Sequence, residues 1–321
     1  MAFFAEYSLF FLKIITSGVV IILTLVGILA ACRKPKLGLD IQSVNKDHSA
    51  TISIMQRETK HKKSNKKQLK HAKKLAKSLP SLYLLEFNGD IKASQVASLR
   101  EEITAILSVA EKNDAVMLKL DSPGGAVNSY GFAASQLHRF REHGINLTVC
   151  IDTMAASGGY LMACVADHIV AAPFAIIGSI GVVAQLPNFH RWLKQHNIDI
   201  ELLTAGEYKR TLTMFAENTD KGRKKLQEDI DTIHVAFRNY IADNRQILHT
   251  DLDKIATGEH WLGKDAYALK LVDSLKTSDD WVLERLQDFN IFQITVHKKL
   301  TLAAKILKPV TKLLCHTPPF H

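Results

Sequence analysis

Cysteine is scarce in this chain, and its four copies, Cys32, Cys150, Cys164 and Cys315, include no Cys-x-x-Cys pair. Neither a disulfide framework nor a zinc site is therefore written in the sequence. Cys150 and Cys164 lie in apolar runs and read as small buried hydrophobes. The fourteen histidines include no His-Glu-x-x-His, which argues against a zinc hydrolase. Positive charge is missing ahead of Lys13, where Glu6 is the sole charge, so the leading segment lacks the basic start of a secretory signal peptide. Aromatic residues are absent from the most basic stretch, residues 33–78, which removes the stacking platforms that single-stranded nucleic acid needs.

That basic stretch holds 14 Lys/Arg against 3 Asp/Glu, whereas residues 79–321 hold 26 against 28. The formal net charge of +9 thus belongs to a tether, and the globular part is nearly neutral. Ahead of the tether, Phe10 to Cys32 is almost wholly apolar, with 19 uncharged residues from Ile14 onward. That length spans a hydrocarbon core of about 30 Å as a helix. An uncleaved single-pass anchor over residues 1–32 is expected, although Leu29-Ala30-Ala31-Cys32 imitates a lipoprotein cleavage box. The basic linker, residues 33–80, is suited to anionic lipid head groups and points by charge to a cytoplasmic C-terminal bulk. No nucleic-acid partner is expected.

From Leu79 the pattern becomes an alternation of strands and helices, the signature of an α/β fold with parallel pairing. Strands are expected at Leu82–Phe87, Ala115–Leu120, Leu147–Ile151, Ile169–Ala172, Ile176–Val183, Asp199–Leu203 and Ile291–Val296. Helices are expected at Lys92–Lys112, Ala126–His143, Tyr160–Ala166, Asn188–His196 and Asp220–Asn244. The globular region is bounded at 81–290, and a basic tail fills 291–321.

One junction stands out, Ala155-Ala156-Ser157-Gly158-Gly159-Tyr160, where a strand gives way to a helix. A serine there stands at the positive end of the helix dipole, and the glycines after it allow close approach of backbone and substrate. The plain alternative is a serine N-cap. A serine hydroxyl needs a base before it becomes a nucleophile. His138, His143 and His168 form no pattern with a carboxylate, and a lysine can serve only if burial lowers its pKa. Lys209, in Ala205-Gly206-Glu207-Tyr208-Lys209-Arg210, follows an expected strand. The Gly258–Asp265 stretch, GEHWLGKD, imitates a phosphate-binding loop but ends in Asp and lacks a strand before it, so ATP is not expected.

AASGGY with a lysine in GEYKR 52 residues later resembles the Ser-Lys dyad of the signal peptide peptidase A family of serine proteases. The DSPGG turn, Gly178-Ser179-Ile180-Gly181-Val182 and ATGEHWLGKDAYALKLVD are similar to the same family in the same order. The SohB branch is nearer still, with its single anchor, basic linker, one protease domain and the runs YKRTLTMFAENTDKGR and TGEHW. The resemblance implies a ClpP/crotonase-like fold of repeated β-β-α units. It implies Ser157 as nucleophile, Lys209 as general base and acid, and Ser179 as a lysine-orienting hydroxyl. Gly125 and Gly158 would form the oxyanion hole, with Pro123 and Gly124 shaping the first of those turns. No metal or cofactor is implied; the implied partners are peptide or unfolded protein segments and further copies of the chain in a ring. The implied location is the bacterial plasma membrane, with the wider family working on its outer face. A non-catalytic membrane scaffold and crotonase-type acyl-CoA chemistry are the alternatives, and neither needs a Ser-Lys pair. One departure is Lys270, where the family commonly places a helix-ending glycine.

Overall fold

Four apolar runs, LYLLEF, AVMLKL, LTVCI and IVA, show little of the hydrophobic alternation of a half-exposed strand. Strands of that kind belong in the middle of a parallel sheet, covered on both faces. The computed structural model, which describes residues 10–21, 24, 37–60, 79–248 and 252–298, has them there. In chain order the described elements are a helical stretch α1 (residues 10–21), β1 (Leu37–Ser43), α2 (Val44–Lys60), β2 (Ser81–Asn88), α3 (Val96–Leu107), β3 (Ala115–Asp121) and α4 (Val127–Glu142). Then come β4 (Asn146–Ile151), β5 (Met154–Ala156), α5 (Gly158–Ala163), β6 (His168–Ala171), β7 (Ile176–Gly178), α6 (His190–Gln195) and α7 (Asp220–Asn244). After a 3-10 turn at Gln246–Leu248 follow α8 (Leu252–Ile255), β8 (His260–Leu262), α9 (Gly263–Ala268), β9 (Ser274–Leu275), α10 (Ser278–Arg285) and β10 (Asn290–Lys298).

The strands form a seven-stranded sheet of order β1-β10-β2-β3-β4-β6-β9 and a three-stranded sheet of order β5-β7-β8. From β10 to β9 the large sheet is parallel, with Leu82 opposite Ala115, Val116 opposite Leu147 and Thr148 opposite His168. The small sheet is mixed: β5 and β7 are parallel, and β8 returns antiparallel to β7. The chain passes repeatedly from the large sheet to the small one. Beyond β3, Ser122 forms a bridge with Ala155; β4 leads into β5, and β6 into β7. Each passage ends at a turn on the same side, so the segments after β3, β5 and β7 converge.

Because side chains alternate across a strand, the sheet has two apolar layers. One holds Tyr83, Leu85, Phe87, Leu118, Val149 and Ile169 under α3, α4 and α5. The other holds Leu82, Met117, Cys150, Val170 and Ile291 against Trp281 of α10. Cys150 and Cys164 are buried, as expected, and burial pushes both thiols up to about 12.

Several expected boundaries need correction. The helix expected from Lys92 begins at Val96, because the Asp90 carboxylate accepts from the Lys92 and Ser94 N–H groups and holds a turn there. The strand expected over Ile176–Val183 ends at Gly178, and Asp199–Leu203 forms no strand. Val183 and Leu203 are 89% and 90% exposed, so β-branched and apolar residues there find no neighbour strand to pack on. Most of the expected anchor, residues 1–9, 22, 23 and 25–32, lies outside the described residues, as do linker residues 33–36 and 61–78 and tail residues 299–321. Among the described residues no helix is long and apolar enough to cross a membrane. By contact density the chain divides into Ile41–Thr295 and a second unit of Met1–Asp40 with Val296–His321.

Candidate active site

Ser157 occupies the N-cap position of α5 without acting as a cap. Its side chain makes no capping hydrogen bond, and its backbone has φ 52° and ψ −119°. A non-glycine residue held in that region costs on the order of 1–3 kcal/mol, which the surroundings must offset. They do so by the Ser157 N–H donating to the Gly178 carbonyl at 2.8 Å and by Ala156 N–H donating to Ser122 O at 3.0 Å. The plain N-cap reading is thereby replaced. The hydroxyl stands at the sharp turn from β5 into α5, unspent on the helix.

The Asp121-Ser122-Pro123-Gly124-Gly125 turn is pressed against that serine. Gly124 has φ +85°, and a Cβ there would lie 2.7 Å from Ser157 Cβ and from Gly158 N. The buried Ser122 hydroxyl fixes the turn: it accepts from Gly124 N–H at 3.2 Å and pairs with Tyr130 Oη at 2.7 Å. Tyr130 in turn donates to the Asp90 carbonyl at 2.9 Å. Gly125 N–H has no acceptor among the described residues. Gly158 is the first residue of α5, where an N–H has no intrahelical partner. Gly125 and Gly158 thus bring two uncommitted N–H groups to the walls of the space that Ser157 also lines.

Ser179 joins them from the end of β7, also at φ 52°, with its N–H donating to Glu259 O at 2.6 Å. Gly178, at φ +108°, has no room for a side chain because the Trp261 ring lies 2.7 Å from where a Cβ would stand. Ser157, Ser179 and Gly125 line one cleft of about 660 Å3, whose other walls include Asp231 and His234 of α7 and Thr257 and Gly258. An adjoining apolar pocket of about 260 Å3 shares Ser157, Gly125, Gly181 and Val182 and is closed by Ile233, Ala236, Phe237 and Tyr240. Burial pushes the Tyr240 phenol up to about 12.

Four expected residues, Ser157, Ser179, Gly125 and Gly158, are thus brought together. Lys209 is not among the residues lining either space. It lies exposed in the segment between α6 and α7, with its N–H donating to Gly206 O at 3.2 Å. That segment leans on the start of α7: Glu207 is paired with Lys221, and the Tyr208 ring lies 5.9 Å from Lys221 Nζ and 5.7 Å from Lys225 Nζ. His234 was not singled out by the sequence. Its only signal is the stripe Gln227, Ile230, Asp231, His234 at helical spacing, which on a charged helix reads as a solvated face. Its Nε2 is buried without a hydrogen-bond partner among the described residues.

Comparison with known sequences gives the same direction. Peptidase family S49 matches over residues 139–291, and the family's N-terminal part over residues 2–137. A probable protease SohB from Haemophilus influenzae is 46% identical over 322 residues, covering 93% of this chain and 90% of that protein. A probable protease SohB from Buchnera aphidicola subsp. Schlechtendalia chinensis is 45% identical over 308 residues, covering 89% of this chain and all of that one. Among solved structures, a membrane-bound stomatin-specific protease in complex with a substrate peptide is similar at 14% identity and TM-score 0.45, covering 73% of this chain and 99% of that one.

Proposed function

The chain belongs to peptidase family S49, among the SohB-type proteases, and from that premise we propose that it is a membrane-anchored serine endopeptidase with Ser157 as nucleophile and Lys209 as base. The observation that carries this reading is the strained, uncapped Ser157, which lines one space with Gly125 and Gly158.

A neutral Lys209 amine would take the Ser157 proton as Oγ attacks the scissile carbonyl. The oxyanion would form between the Gly125 and Gly158 N–H groups, each worth on the order of 3 kcal/mol to the transition state. Lys209, now protonated, would give its proton to the leaving amine, and an acyl-serine would remain for water to hydrolyse. Ser179 would orient the lysine amine. The apolar pocket beside Ser157 suits an aliphatic or aromatic substrate side chain next to the scissile bond. The turns after β3, β5 and β7 fit the ClpP/crotonase-type framework of repeated β-β-α units.

Lys209 is exposed, on a segment that also exposes Val183, Trp192 and Leu203. Such a segment suits docking on a second copy, with the amine delivered into that copy's cleft, which is the reason to infer a ring-like homo-oligomer. Residues 10–32 would anchor the assembly in the bacterial plasma membrane, with the basic linker against anionic head groups.

The test is labelling by a fluorophosphonate probe, with intact mass to count adducts and peptide mapping to locate them. Wild type should carry one adduct on Ser157, and Ser157→Ala and Lys209→Ala none. Lys209→Arg should be nearly as damaging, because arginine cannot be deprotonated. If Lys209→Arg labels and turns over as wild type does, a histidine is the base, and among the described residues His234 is the one that lines the cleft. No adduct on a folded, oligomeric wild type would favour the non-catalytic scaffold.

A further inference from the structure

Helix α7 presents two neighbouring stripes to the surroundings of Ser157, and they differ in chemistry. Ile233, Ala236, Phe237 and Tyr240, spaced i, i+3, i+4, i+7, close the apolar pocket. Gln227, Asp231 and His234, spaced i, i+4, i+7, face the larger cleft. The two spaces meet at Ser157, Gly125, Gly181 and Val182. An extended peptide lying over Ser157 sends successive side chains to opposite faces, so two spaces joined at the nucleophile receive side chains close to the scissile bond.

Among the described residues Asp231 is the one carboxylate lining the larger cleft, and no Lys or Arg lines it. Gln227 Nε2 donates to Asp231 Oδ1 at 2.8 Å, which orients the carboxylate across the helix surface. His234, one turn further on, keeps its Nε2 buried with no partner among the described residues. A buried polar atom without a partner is an exception among folded proteins. An oriented carboxylate beside such an imidazole nitrogen suits a group that carries positive charge and several N–H donors.

We propose that Gln227, Asp231 and His234 form a subsite for a lysine or arginine side chain of the bound peptide, beside the apolar pocket. The proposal rests on Ser157 marking the substrate cleft. Its substrate class is a peptide with an apolar residue and a basic residue within about two positions of each other around the cleaved bond.

Binding separates this inference from the catalytic reading. Full-length Ser157→Ala in detergent is titrated by fluorescence anisotropy with labelled decapeptides holding one leucine. Lys, Arg, Gln or Glu is placed at each of two positions on either side of it. At one position, Lys and Arg should bind about three- to tenfold more tightly than Glu, the size of one partly exposed charge pair. Asp231→Asn, made in the same background, should bring that ratio to within about twofold, and Asp231→Lys should invert it. His234→Gln should weaken the Lys and Arg peptides more than the Glu ones. A ratio within one variant is insensitive to general loss of fold or assembly.

No cation preference at any position, or a preference that survives Asp231→Asn, overturns the subsite. It is overturned as well if Asp231→Asn and Arg210→Gln each dissolve the oligomer by sedimentation, since Asp231 would then hold a neighbouring copy's Arg210. A cation preference in binding, with no fluorophosphonate adduct on wild-type Ser157, would remove the catalytic reading and leave the subsite standing.

Discussion

Gly158→Ala puts the geometry around the nucleophile under direct stress. The added methyl carbon would stand 2.4 Å from Tyr130 Cγ and 2.8 Å from its Cβ and Cδ2, against an ordinary carbon separation of about 3.5–4 Å. The ring cannot easily yield. Its hydroxyl is held by Ser122 at 2.7 Å and by the Asp90 carbonyl at 2.9 Å, and its edge packs on Phe87 with centroids 6.4 Å apart. Overpacking of this kind costs about 1–3 kcal/mol, and a pinned ring belongs at the upper end. Alanine returns up to about 1 kcal/mol through its better helix propensity. The net is about 2 kcal/mol, and at about 2–4 °C per kcal/mol for a domain of this size the melting temperature should fall by about 4–8 °C. Catalysis should suffer more than stability. Relief has to come from shifting the start of α5, which moves Ser157 and the Gly158 N–H, and on the proposed mechanism a displacement near 1 Å costs about a hundredfold in rate. Calorimetry beside peptide turnover and fluorophosphonate labelling would read both effects. The pair Gly158→Ala with Tyr130→Leu, which removes the ring, should recover part of the labelling rate. A single variant that melts and labels as wild type does would refute the close packing of α5 on Tyr130.

Ser157→Gly should abolish labelling while raising the melting temperature, since glycine relieves the positive φ; differential scanning calorimetry that shows a drop would argue against stored strain. Lys270 ends α9 at φ +62°, so Lys270→Gly should stabilise by about 1 kcal/mol, read as a higher urea midpoint with turnover unchanged. Arg245 is buried, bidentate to Asp273 at 2.8 and 2.9 Å, and bound to the Lys270 carbonyl at 2.9 Å. Arg245→Met should therefore cost about 3 kcal/mol in chemical denaturation, because it strands a partly buried carboxylate. At Asp152, burial pushes the carboxyl up, but hydrogen bonds from Ser278 and the Lys119 ammonium outweigh it and hold it below the usual range. Its contribution to stability is present above the unfolded value near pH 4 and is lost as pH falls through the depressed folded value. Asp152→Asn should make the acid limb of stability shallower, as measured by the urea midpoint between about pH 2 and 6.

The parts of the fold that were legible are those whose local pattern and final environment agree. Ala115–Leu120 and Leu147–Ile151 read as strands because nearly every side chain is apolar and both faces are covered. Asp220–Asn244 was read to the residue: Thr219 caps it by accepting from Gly222 N–H at 3.1 Å, and its apolar stripe keeps helical period throughout. Two expected strands fail between Gly178 and Leu203, where β-favouring residues stay exposed and pattern has no packing to act on, and β1 and α2 lie unforeseen within the basic linker. At the site, the clustering of the serine turn with the glycines beside it was legible because both are backbone features tied to short motifs. His234 was not, since which face of a long charged helix meets a cleft is decided by tertiary placement. Lys209 is the opposite case, named by its motif and exposed in the single chain.

The sheet order β1-β10-β2 also sets a timetable for synthesis. The last described strand, β10, stands between the first two, with Asn290 opposite Ser81 and Phe292 opposite Tyr83. Roughly 250 residues separate β1 from the strand it must pair with, which at ribosomal speeds of about 5–20 residues per second is a wait of about 12–50 s. Through that interval the edges of β1 and β2 that will meet β10 are unpaired while β2, β3 and β4 can already zip in order. Nascent chains stalled before Asn290 should thus be open to proteolysis at β1 and strand-swapping at β2, and both should close once β10 leaves the ribosome.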